Sequence, residues 1–157
     1  MSAQLLKKAS ILGAGSMGHG IAQLLVMTGT EVTLVDINDE ILAKARQKIQ
    51  WSIDKFVEKR TIRKEDADAA MARLHTTTNM NEAFKDADLV VEAAPENLEM
   101  KKKLFAQIDK AAPNHAILGS NTSTLSITEL GKMTSRPDKV VGLHFFNPPQ
   151  MLSLIHI

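Results

Sequence analysis

Three groups of residues in this chain could do chemistry. His144 opens the stretch His-Phe-Phe-Asn-Pro-Pro at the end of an apolar run. An imidazole titrates near neutral pH and serves as base in one direction and acid in the other. Upstream, Ser120 to Ser123 read Ser-Asn-Thr-Ser, a turn rich in hydroxyls and amides. Nearer the start, Gly13, Gly15 and Gly18 follow the apolar run Ala9–Leu12 in the spacing G-x-G-x-x-G, and an acid, Asp36, stands 23 residues after Gly13. Taken singly, each has a bland reading as a strand-end histidine, a polar turn or a flexible glycine loop.

The glycine group gains weight from its order. Strand, glycines, helix, strand and terminal acid occur in sequence: after Gly18, Ile21, Leu24, Leu25 and Val26 recur at helical steps, Gly29-Thr30 ends the helix, and Glu-Val-Thr-Leu-Val reads as a strand closing on Asp36. Gly13 permits the tight turn, Gly15 lets a pyrophosphate approach the backbone, and Gly18 lets helix and sheet pack closely. The helix N-terminus offers unpaired N–H groups and a partial positive charge to phosphate. A carboxylate at Asp36 accepts ribose hydroxyls and repels a 2′-phosphate; Ile37 and Asn38 supply no arginine to hold one. The cofactor implied is NAD rather than NADP.

The rest of the chain supplies elements to position these groups. Asn38 to Leu74 reads as a long helical hairpin, about 39–73, inserted after the second strand, its second arm without a sheet strand of its own. His-Thr-Thr-Thr-Asn is a short polar strand candidate. Leu89–Ala93, Ala116–Gly119 and a final strand ending at His144 alternate with an amphipathic helix from Leu98. Such alternation implies an α/β, Rossmann-type, doubly wound, mainly parallel sheet. Ligands bind at the carboxyl ends of its strands, where Asp36, Glu92 to Glu96, Ser120 to Ser123 and His144 all fall.

Composition narrows the setting. The 157 residues carry 44% hydrophobic side chains, enough for one core, and 19 Lys+Arg against 18 Asp+Glu give a net charge of +1. That balance implies neither nucleic acid nor an anionic membrane as partner. Lys101, Lys102 and Lys103 read as a solvated helix face. With no cysteine, disulfides and thiolate-ligated metal sites are excluded, and no metal is called for. The N-terminus is too short and polar for a signal peptide, and the expected location is cytoplasmic.

Four blocks, GAGSMGHGIAQ, VVEAAPENLEMKKKLF, SNTSTLSITEL and GLHFFNPPQM, together resemble the NAD-binding domain of the 3-hydroxyacyl-CoA dehydrogenases, including 3-hydroxybutyryl-CoA dehydrogenases. The resemblance covers residues 8 to 151. It implies reversible oxidation of a (3S)-3-hydroxyacyl-CoA to a 3-oxoacyl-CoA, in fatty acid or butanoate metabolism. By that resemblance His144 is the catalytic base, Ser123 binds substrate near the reacting oxygen, and Asn121 contacts the nicotinamide ribose region. Glu96 and Lys101 join Gly13, Gly15, Ser16, Met17, Gly18 and Asp36 in holding the cofactor. Ser52 and Lys59, on the hairpin, match positions that contact the CoA moiety. Asn147 and Pro148 shape the turn after the catalytic strand.

The resemblance also marks departures. The family carries a Glu twelve residues after its catalytic histidine; here that position is His156, which cannot supply the negative charge. Leu152–Ile157 is therefore expected to be an atypical tail foreign to the protein; the competing account is a natural truncation with His156 genuine. The family's helical dimerisation domain is expected to be missing from this chain, so a homodimer is expected only for a full-length protein, and the chain itself is expected to bind NAD while lacking full activity. Two alternatives stay open: a dehydrogenase of a free hydroxy acid on the same fold, and a non-catalytic NAD-binding module.

Overall fold

The computed structural model describes residues 6–151. The expectations for Leu152–Ile157, His156 included, lie outside the described residues.

Six strands form one parallel sheet in the order β3-β2-β1-β4-β5-β6, the doubly wound order. They are β1 (Lys8–Leu12), β2 (Glu31–Val35), β3 (Leu74–Thr77), β4 (Leu89–Glu92), β5 (Ile117–Ser120) and β6 (Val140–Gly142). Central strands such as Leu-Val-Val-Glu are buried at every residue, as a sheet covered on both faces requires. Successive residues alternate between the two layers. Ile11, Leu34 and Val91 face α1 (Ser16–Met27), α2 (Asp39–Glu58) and α3 (Lys64–Ala72). Leu12, Val35 and Val90 face α4 (Met80–Phe84), α5 (Leu98–Ala111) and α6 (Ile127–Gly131). Side chains such as Ile11, Leu34 and Phe105, all at 0% exposure, each contribute roughly 1.5–3 kcal/mol of burial free energy.

The helical hairpin follows the second strand as the sequence implies, but it does not lack a strand. β3 leaves α3 directly and pairs with β2, Val32 opposite Leu74. The hairpin is thus the β2–β3 crossover itself, enlarged by a second helix. Its ends are written locally. The Asn38 side chain accepts the Glu40 N–H, and Asp39 and Glu40 occupy the first turn. At the other end the Arg60 N–H bonds Val57 and the Thr61 N–H bonds Phe56, closing a Schellman motif around Arg60 at φ +56°. Three further differences concern short pieces. The polar strand is Leu74–Thr77 rather than 75–79, the last strand stops at Gly142 with His144 two residues beyond it, and α4 and α6 carry no sequence-level expectation.

Candidate active site

From β2 to β6 across the sheet, neighbouring strands are stitched together at their carboxyl ends. The Gly13 N–H bonds the Val35 carbonyl, Ala93 bonds Leu12, Asn121 bonds Glu92 and Leu143 bonds Ser120, all at 2.8 Å. The ladder therefore runs on into the loops that carry the candidate residues. Between the ends of β1 and β4, where the winding reverses, lies a cleft of about 840 Å³. Gly13, Gly15, Ser16, Met17, Asp36, Glu96, Lys101, Asn121 and Ser123 all line it. A smaller cleft of about 340 Å³, over Ser10, Thr33 and His75, contains none of them.

The glycine-rich turn fits a dinucleotide. Gly13 has φ +100°, and a Cβ there would stand 2.8 Å from the Ala93 carbonyl oxygen. A Cβ on Gly18 would overlap the carbonyl of Gly13, so only glycine lets α1 start this close to the turn. Gly15 faces open space and caps α1 with no side-chain bond and no acid in the first turn. The other long helices, α2 and α5, are capped by Asn38 and Asn97 with acids following. The N–H groups and positive dipole end of α1 are thus left for an anion. Asp36 sits at the rim. Its Oδ2 accepts the Ala14 N–H at 2.7 Å and its Oδ1 the Ile37 N–H at 2.7 Å. Each oxygen keeps a lone pair for a ribose hydroxyl. Ile37, Ile41, Met80, Met100 and Leu104 give that half of the cleft an apolar lining.

The floor holds a network that sequence reading misassigned. Lys101 is not part of a solvated face: its side chain is 1% exposed, because the β4–α5 connection brings a carboxylate beneath the first turns of α5. Its ammonium bonds Glu92 Oε1 at 2.7 Å, Glu92 Oε2 at 3.0 Å and the Ala94 carbonyl at 3.1 Å. Glu96 lies 3.3 Å away. Glu92, fully buried, also accepts the Ala94 N–H and the Ser120 hydroxyl, each at 2.6 Å. All three ammonium protons are taken by protein acceptors, so Lys101 shapes the cleft wall from behind. Glu96 bonds the Thr122 hydroxyl. Partial burial raises the Glu96 pKa, but the Thr122 hydroxyl and the Lys101 charge outweigh it and hold the carboxyl below its ordinary value. Glu92 and Ser120 were legible only as strand-end residues; the unbroken apolar run Leu-Val-Val before Glu92 marks a strand buried on both faces, and a carboxylate at its end is the signal for a buried cation.

His144 reaches the cleft through Ser123, which lines it: both side chains are exposed, with Nε2 and Oγ 2.9 Å apart. The Phe146 ring tilts against the imidazole at 5.4 Å between centroids. Asn121 turns its side-chain oxygen to the Phe145 N–H at 3.0 Å, which braces the backbone beside His144 and leaves the Asn121 amide protons for other partners. Asn147 and Pro148 lie exposed in the loop that follows. Ser52 and Lys59 stand apart from this cluster, on α2 and at its end. The Ser52 hydroxyl accepts from Gln23 Nε2 at 2.9 Å across the α1–α2 seam, whereas Lys59 is exposed.

A six-stranded doubly wound sheet, an uncapped glycine helix start, a rim carboxylate and a His–Ser pair at the cleft define a dinucleotide-binding oxidoreductase domain. Residues 8–157 match the model of the 3-hydroxyacyl-CoA dehydrogenase NAD-binding domain. The mitochondrial hydroxyacyl-coenzyme A dehydrogenase of Rattus norvegicus is 41% identical over 158 residues, which covers 98% of this chain and 50% of that protein. Among solved structures, the 3-hydroxybutyryl-CoA dehydrogenase of Escherichia coli K12 superposes with a TM-score of 0.89 at 38% identity, covering 92% of this chain and 30% of that one. The (S)-3-hydroxybutyryl-CoA dehydrogenase of Ralstonia eutropha gives 0.87 at 39%, covering 91% and 50%. The chain belongs to the 3-hydroxyacyl-CoA dehydrogenase family, and its cofactor is NAD. It spans about half the length of the rat relative and its other mitochondrial counterparts.

Proposed function

We propose that this chain forms the cofactor-binding and proton-transfer half of an NAD-dependent 3-hydroxyacyl-CoA dehydrogenase, acting on a (3S)-3-hydroxyacyl-CoA in fatty acid or butanoate metabolism. The observation that carries the proposal is the 2.9 Å pairing of His144 Nε2 with Ser123 Oγ at the mouth of the dinucleotide cleft. NAD, when bound, supplies the acceptor for the hydride that leaves C3. His144 takes the proton from the 3-hydroxyl through Nε2 and returns it in the reverse direction. Ser123 shares that position and holds the reacting oxygen against the imidazole. Neutral Nε2 is the accepting form, and the Ser123 hydroxyl then donates to it until substrate arrives. Asp36 holds the adenosine ribose, the first turn of α1 the pyrophosphate, and Glu96 with Asn121 the nicotinamide side.

Ser52 and Lys59 are assigned to the CoA moiety. They stand two helical turns apart, and an exposed ammonium suits a phosphate. His144 and Ser123 are open to solvent, and catalysis of hydride transfer depends on excluding water and holding substrate. The chain alone is therefore expected to bind NAD with little turnover. The test is to compare 3-hydroxybutyryl-CoA with free 3-hydroxybutyrate as ligands of the NAD-loaded chain by calorimetry. The thioester binds and the free acid does not if the assignment holds; loss of thioester affinity in Lys59→Ala locates the CoA. Equal binding of the two ligands points instead to a free hydroxy acid.

A further inference from the structure

The glycine run does not end at Gly18. Gly20 follows in the second turn of α1, beyond the four N–H groups that a helix start leaves unpaired. It has no part in holding phosphate, and glycine inside a helix is disfavoured relative to alanine. Its surroundings give a reason for it. A Cβ at this position would stand 2.9 Å from Cδ and 3.1 Å from Cγ of Pro149, and 2.7 Å from Oε1 of Gln150. Gly20 and Pro149 are both buried. The loop after His144 thus rests directly on the backbone of α1. Among the described residues no hydrogen bond ties Pro149 or Gln150 to α1, and Gln150 Oε1 is buried without a partner. Shape holds it.

The same loop is fastened on its other side. The Leu143 N–H bonds Ser120, and the Phe145 N–H bonds the Asn121 side chain. Phe145 itself packs into the core layer that contains α1. His144 lies on a span tied at one end to β5 and its following loop and seated at the other on α1. One helix therefore carries the anion-binding turn in its first residues and the seat of the histidine loop one turn later.

We propose that Gly20 is a positioning residue for His144: its missing side chain seats Pro149 against α1 and so keeps the imidazole within reach of Ser123. The functional consequence rests on the proton-transfer role proposed for His144, but the seat can be read without any activity. The experiment records the imidazole 15N–1H resonances of the isotopically labelled chain, with the His144 signals assigned from His144→Gln, and measures NAD affinity in parallel. Gly20→Ala shifts the His144 ring signals and their pH titration while changing NAD affinity by no more than about threefold. Pro149→Ala removes the opposing ring without touching α1 and moves the same signals. The double variant, in which the new methyl occupies the space vacated by the ring, lies closer to wild type than either single variant. Unmoved His144 signals in Gly20→Ala overturn the proposal. So do additive effects in the double variant, or a loss of NAD binding that parallels the shift. If Gly20→Ala does not fold, Pro149→Ala decides alone, and unmoved His144 signals there sink the idea. Hydride transfer that survives in His144→Ala would refute the proton-transfer reading and leave the seat standing.

Discussion

Asp36 and Lys101 show how much one residue's neighbours decide. Asp36 was expected as a ribose-binding acid from its distance after Gly13, and the structure fixes its carboxylate at the cleft rim by two backbone hydrogen bonds. Asp36→Ala removes two acceptors for ribose hydroxyls and the repulsion of a 2′-phosphate. NAD affinity should fall about tenfold or more, roughly 1.4 kcal/mol per tenfold, and the preference over NADP should shrink. Calorimetric titration with both cofactors checks this. Lys101 was not readable, because the sequence shows three consecutive lysines and not the carboxylate folded beneath one of them. Lys101→Met leaves Glu92 buried and uncompensated, which costs about 3–5 kcal/mol. A denaturant melt should show that loss, whereas Lys103→Met should change stability by no more than about 0.5 kcal/mol.

At the scale of elements, legibility followed length. The helices α1, α2 and α5 have full apolar periods, and both limits of α2 and α5, with the end of α1, were expected within a residue or two. α4 and α6 are five residues each, too short to show a helical period. β3 is a polar edge strand that earns its place by pairing with β2 rather than by its own residues. The hairpin turn offers a test of the backbone account. Arg60 occupies the left-handed position that a Schellman motif usually gives to glycine. Arg60→Gly should raise stability by about 0.5–1 kcal/mol, after allowing for the extra freedom glycine has when unfolded. A rise in the midpoint of a urea melt with unchanged slope is the expected result; a fall would mean that the arginine side chain matters more than its backbone.

For the whole molecule, the carboxylates that hold distant segments set the response to acid. Asp109 accepts from the Arg136 guanidinium at 2.7 Å and from the Ser135 N–H at 2.8 Å, tying the end of α5 to the segment before β6. Burial raises its pKa, but the Ser135 bonds and Arg136 outweigh it, so the value lies below the ordinary 3.8 of aspartate. Asp88 is held below 3.8 by the Lys8 N–H, against burial and with help from His115. A carboxyl depressed in the folded state stabilises the fold above its unfolded pKa and loses that contribution as pH falls through its folded pKa. Stability should hold down to about pH 4 and drop below it. Asp109→Asn should flatten that drop in acid melts.

The account's central claim is that His144 moves the proton for hydride transfer to and from the cofactor held by this cleft. Single-turnover oxidation of NADH, with the chain in excess over acetoacetyl-CoA, tests it most directly. The predicted result is slow, saturable oxidation, far below the roughly 10 s⁻¹ typical of enzymes, that falls at least ~100-fold further in His144→Ala. Oxidation at the same rate in His144→Ala, or none in the NADH-saturated wild-type chain, would contradict it.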